Sequence, residues 1–174
     1  AVLKEARELN PDALELTVLA SRVARRLGRG EEALSLLEEA ASAQKGRRSR
    51  ALSHVYREMS QIQLEDGFLT DALDSLTRAT EMDIRNGALA MELARLALEI
   101  DEKEVAYRTL GRVALMKLVD GDPNEGVRRE DRAAANYELA VHASGQGDLR
   151  RAKVLLQKVL TDVSDHEPAL ALLA

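Results

Sequence analysis

The chain has 174 residues, 45% of them hydrophobic, 32% charged and 2% aromatic, and a formal charge of −5. That balance excludes a net electrostatic draw to nucleic acid or anionic membrane, and no apolar run approaches the roughly 18 residues of a membrane span. The lack of cysteine removes disulfides, thiol catalysis and Cys-ligated zinc together. Cysteine-free chains occur in reducing and oxidising compartments alike, so the compartment stays open. The Ala/Arg/Glu-rich style suggests a bacterial source.

In chain order, Glu5 to Asp12 reads as one helix closing and another opening. Pro11 stands at an opening position where its missing N–H costs little. Residues 19–40, LASRVARRLGRGEEALSLLEEA, follow. Leu19, Val23, Ala24 and Leu27 fall at helical spacing, as do Leu34, Leu37 and Ala40, and predict two apolar helix faces. The small residues Ala20, Ser21 and Ala33 let the two backbones approach. Lys45-Gly46-Arg47-Arg48-Ser49-Arg50 reads either as a basic docking patch or as a solvated turn whose Ser49 opens the next helix.

A second helix–turn–helix stretch covers 59–79 and a third covers 93–113. Asp120 to Asp131 has acids at alternate positions, yet Glu125 and Asp131 stand where a calcium loop needs Gly and a bidentate Glu. An ordinary Gly/Pro/Asn turn is the expectation there. A fourth stretch covers 139–159. Pro168-Ala169-Leu170 with Leu173-Ala174 then reads as the first turns of another hairpin.

The four stretches align on Ala33, Ala72, Ala106 and Ala152, at intervals of 39, 34 and 46 residues. Twelve residues before each alanine stands a small residue: Ser21, Ser60, Ala94 or Ala140. Gly28, Gly67 and Gly147 occupy the turn, with Asp101 in the third copy. Leu37, Leu76, Leu110 and Leu156 follow each alanine by four residues, and Ala40, Ala79, Val113 and Val159 by seven. On these residues the chain resembles the tetratricopeptide repeat family, whose period is ~34 residues. The bulky aromatic of the family's first helix is mostly missing, with Tyr56 the one good match, so the repeats are degenerate.

The resemblance implies an all-α chain, an α-α superhelix of antiparallel hairpins. It places repeats at approximately 14–44, 53–84, 87–119 and 133–163, with partial hairpins at 1–10 and 167–174, as one segment of a longer array over 1–174. It also implies a concave groove lined by the first helix of each hairpin. The candidate partner-binding residues are Val18, Arg22, Arg25, Arg57, Gln61, Met91, Arg95 and Tyr137. Such a surface suits an acidic or amphipathic peptide, because Arg pairs with carboxylates in two-point fashion and Met adapts to irregular apolar shapes. An open groove predicts exposed Met91 and Tyr137. The competing reading is a solvated, unused face, with Leu64, Leu98 and Val141 packed between repeats. The Lys and Asn of the family's carboxylate clamp are absent from the matching slots.

Nothing in the pattern asks for catalysis, a metal or another cofactor. His54, His142 and His166 lie in separate hairpins or junctions, and no pair has zinc spacing. Gly28-Arg29-Gly30 and Gly145-Gln146-Gly147 are helix-to-helix turns rather than phosphate loops. The expected function is a module binding a protein or peptide. A spacer or self-associating scaffold, or a regulatory domain of a larger protein, stands as the alternative.

Overall fold

The computed structural model describes residues 11–44, 47–121 and 125–173. Among them run nine helices: α1 Pro11–Arg26, α2 Gly30–Ala43, α3 Arg50–Glu65, α4 Leu69–Met82, α5 Gly87–Glu99, α6 Lys103–Val113, α7 Arg129–Gly145, α8 Leu149–Asp162 and α9 Glu167–Leu173. The chain divides into two compact units, residues 1–83 and 84–174. In the first, α1 pairs with α2 and α3 with α4, and α3 packs on both α1 and α2. In the second, α5 pairs with α6 and α7 with α8, while α7 packs on α5 and α6 and α9 on α8. The partial hairpin expected at 1–10 lies outside the described residues.

The same turn closes each pair. Gly28, Gly67 and Gly147 have φ of 75°, 81° and 79°, and Asp101 takes the same left-handed place at 62°. Glycine meets no Cβ clash there, whereas Asp is strained. One residue on, an N–H reaches back five positions: Arg29 to Ala24, Phe68 to Gln63, Glu102 to Ala97 and Asp148 to Ala143, at 2.7–3.0 Å. This is the bond that closes a helix through a left-handed residue. Side-chain oxygens cap the starts of three helices. Ser49 accepts from the Leu52 N–H at 3.1 Å, Asn86 from Leu89 at 3.0 Å and Asp148 from Arg151 at 3.0 Å. Each such cap is worth about 1 kcal/mol.

The small residues mark where paired helices cross. Ser21, Ser60, Ala94 and Ala140 are at most 1% exposed, and Ala33, Ala72 and Ala106 are completely buried. Ser60 donates through its hydroxyl to the Ala72 carbonyl at 2.8 Å, tying α3 to α4 where they touch. Leu37, Leu76, Leu110 and Leu156 complete the core at 0–2% exposure.

The expected facing of α1 is corrected. On α1 the core is made by Leu14, Val18, Ser21 and Ala24, while Leu19, Val23 and Leu27 are 54–64% exposed. The helix carries two apolar stripes at helical spacing, and the one facing α2 and α3 is offset from the one read in the sequence.

After α6, the residues on either side of the turn expected at 120–126 pack as a strap, which the spacing did not reveal. Leu118 and Val127 form an isolated parallel bridge, and the Val127 and Val119 N–H groups bond across it at 3.0 Å. Val127 is fully buried. The strap docks on the start of α5, where Gly87 N–H donates to the Gly126 carbonyl at 2.8 Å. A Cβ on Gly87 would stand 2.8 Å from Val127, so only glycine permits the approach.

Candidate functional site

Positions at i, i+3 and i+7 on a helix share one face, and in unit 1 that spacing gathers charge. Arg22 and Arg25 of α1 both close on Glu58 of α3. The Arg22 Nε–Glu58 Oε2 distance is 2.7 Å and the Arg25 Nη2–Glu58 Oε1 distance 3.3 Å. The Glu58 side chain is 1% exposed, against 48% for Arg22 and 23% for Arg25. Arg25 reaches on to Glu65 at 3.4 Å. The buried member is the acid, so the arginines neutralise it from the solvent side and are themselves held in place. Arg22 uses Nε for this bond and forms no other ion pair among the described residues. Its outward guanidinium edge keeps the fork geometry that suits a carboxylate. Arg57 is exposed and Gln61 half-buried on the same helix as Glu58. Val18 lies in the core at 4% exposure.

In unit 2, Arg95 is 68% exposed and, among the described residues, ion-pairs only with Asp131, at 3.5 Å. Tyr137 is half-buried, its ring 5.1 Å from that of His166. Met91 is 4% exposed and belongs to the core with Ala94 and Leu110. The exposed Met91 required by an open groove is therefore not found: its flexible stem fills space left by surrounding alanines. Leu98 packs against the same core, whereas Val141 is 43% exposed.

Neither of two buried carboxylates, Glu58 and Asp162, was singled out in the sequence. Glu58 falls between Val55 and Ile62 at i+3 and i+7, a spacing that already put it on the core face. Asp162 follows Leu155 and Val159 in the same way. Its two carboxylate oxygens accept from Arg132 Nη2 and Nε at 2.6 and 2.8 Å, linking α8 to α7. These hydrogen bonds raise the Arg132 pKa above its ordinary value, against the opposing effect of burial.

Two of the three histidines have structural partners. His142 stacks on Tyr107 with centroids 3.8 Å apart, and His166 Nδ1 accepts from the Ala169 N–H at 3.2 Å, opening α9. Among the described residues no group of three His, Cys, Asp or Glu side chains could hold a metal ion. Among them, too, no helix is long and apolar enough to cross a membrane.

No family model matches the chain, and no curated protein matches it. Solved structures do share its architecture. A tetratricopeptide repeat protein from Parabacteroides merdae superposes with a TM-score of 0.63 at 19% identity, over 90% of this chain and 56% of that one. MamA from Desulfovibrio magneticus gives 0.54 at 19% identity, over 90% and 78%. YrrB, described as a TPR protein with an unusual peptide-binding site, gives 0.50 at 16% identity, over 99% and 97%. The chain thus has a tetratricopeptide-like fold of helical hairpins.

Proposed function

From this tetratricopeptide-like fold we propose that the chain is a protein-interaction module, taking an acidic, amphipathic peptide on the first-helix faces of its hairpins. The observation that carries the reading is Arg22. Its Nε is docked on a buried glutamate while half of its side chain stays exposed. A guanidinium held in this way loses little further freedom when it pairs with an incoming carboxylate. In unit 1 Arg57 and Gln61 supply further contacts; unit 2 presents a first-helix face of its own, with Arg95 and Tyr137. Exposed Leu64 and Val141, at 37% and 43%, supply apolar steps.

The test is fluorescence anisotropy with a labelled nonapeptide alternating Leu and Glu. Arg57→Glu and Arg95→Glu are each expected to weaken binding about tenfold, a charge-assisted pair being worth roughly 1.5–3 kcal/mol. Arg22→Glu is unsuitable, because it would set a second carboxylate beside buried Glu58. Affinity unchanged in both variants would refute the reading.

A second reading, self-assembly, has its own observation. Leu16, Leu19, Val23 and Leu27 form one stripe on α1, each 54–66% exposed. Such a stripe is covered when helices associate. Sedimentation of Leu19→Glu/Val23→Glu against the unaltered chain decides it: concentration-dependent association lost in the variant supports the scaffold.

A further inference from the structure

Repeats two and four share an ungapped register, so they compare position by position. Sixteen residues before the aligned alanine stands Tyr56 in one and Asn136 in the other. Six residues after it stands Arg78 or Lys158. In repeat two these side chains meet. The Tyr56 ring packs against the core of its unit, and the Arg78 guanidinium carbon lies 5.9 Å above the ring centroid, within cation–π reach. Repeat four keeps the cation and has lost the ring.

What stands in its place is a groove of about 680 Å³ between the end of α6, α7 and α8, with Leu115, Leu139, Val154, Arg151, Lys158 and Asn136 among its walls. A recess of about 210 Å³ adjoins it, sharing Asn136 and Lys158. That recess is smaller than the roughly 300–1,000 Å³ of a pocket for a small-molecule ligand and nearer the scale of one side chain.

Three features say what would fill it. The rim is positive: Arg150, Arg151 and Lys158 are exposed, and no described residue is ion-paired with them. The carboxylates beside them are already engaged, Asp148 capping α8 through the Arg151 N–H and Asp162 holding Arg132. This field sits on a chain whose net charge is −5, and it calls for acids from outside. The walls are apolar, with Leu115 83% and Val154 52% exposed. On the floor Asn136 is 1% exposed. Its Nδ2 donates to the Arg132 carbonyl at 2.9 Å, while its Oδ1 has no partner, a costly state for a buried acceptor.

We infer that the α6–α7–α8 groove is a second peptide site, separate from the first-helix faces, which receives one tyrosine side chain from an acidic segment. The ring lies beneath Lys158, in the place that repeat two fills with its own Tyr56. The phenolic hydroxyl donates to Asn136 Oδ1. Acids flanking the tyrosine pair with Arg150 and Arg151.

Three labelled heptapeptides test this by fluorescence anisotropy: tyrosine between two runs of three glutamates, the same with alanine for tyrosine, and the same with lysines for the glutamates. The first is expected to bind, the alanine peptide about tenfold more weakly, and the lysine peptide not at all. Asn136→Tyr fills the groove from within, as in repeat two, and is expected to abolish binding. Should that variant fail to fold, Lys158→Glu at an exposed position reads the same contact and is expected to weaken binding about tenfold.

Equal binding of the tyrosine and alanine peptides overturns the inference, as does full binding by a folded Asn136→Tyr chain. Loss of the tyrosine peptide with Arg57→Glu but not with Lys158→Glu would move it to the first-helix face, overturning this site while supporting the other. Sedimentation showing a dimer that Lys158→Glu dissolves, with no peptide bound, would give the groove to a second copy and also overturn it.

Discussion

Removing both Arg22 and Arg25 should cost far more than removing them together with the glutamate they serve. In the double variant Arg22→Ala/Arg25→Ala the Glu58 carboxylate, 1% exposed, loses both cations. Breaking a buried pair from one side costs about 3–5 kcal/mol, because the remaining charge is uncompensated. Loss at the lower end of that range, about 3 kcal/mol, is expected. The triple variant that adds Glu58→Leu carries no buried charge and fills the same space between Val55 and Ile62. It should return to within about 1 kcal/mol of the unaltered chain, since buried ion pairs exchange for apolar groups at little net cost. Urea unfolding followed by helical circular dichroism at pH 7 measures all three. A double variant losing under 1 kcal/mol would refute the reasoning, as would a triple variant no more stable than the double.

Three further outcomes follow from unit 2. Gly87→Ala forces its Cβ against Gly126 and Val127 and should cost about 2–3 kcal/mol in urea unfolding, as overpacking at a rigid contact does. Asp101→Gly relieves a left-handed residue at φ 62° and should gain about 0.5–1 kcal/mol by the same measurement; a loss would show that its 2.9 Å contact with Lys103 outweighs the strain. A double-mutant cycle with Arg132→Leu and Asp162→Ala should return a coupling of about 2 kcal/mol, the two-point geometry being good while Arg132 stays 25% exposed. Coupling below 0.5 kcal/mol would make the pair incidental.

The hairpins were legible because their signals are local. Four left-handed turn positions, four small crossing residues and four leucines recur at constant offsets, and each has a local physical cause: positive φ, backbone approach, core filling. Ser49 as a cap was legible for the same reason. The facing of α1 was not, because that helix carries two apolar stripes and periodicity cannot choose between them. Met91 as a groove residue was a family position carried onto a chain whose small neighbours draw that side chain inward.

Sequence alone therefore determined the helices, their pairing and the turns between them, since those depend on residues close along the chain. Tertiary structure decided which face of α1 is wet, that Glu58 and Asp162 are buried beneath arginines, and that Gly126 and Val127, paired with residues 117–119, dock on Gly87. It also decided that Asn136 and Lys158 frame a groove where repeat two has a ring. Each of these depends on what a distant segment presents to the residue, and spacing along one helix carries no record of that.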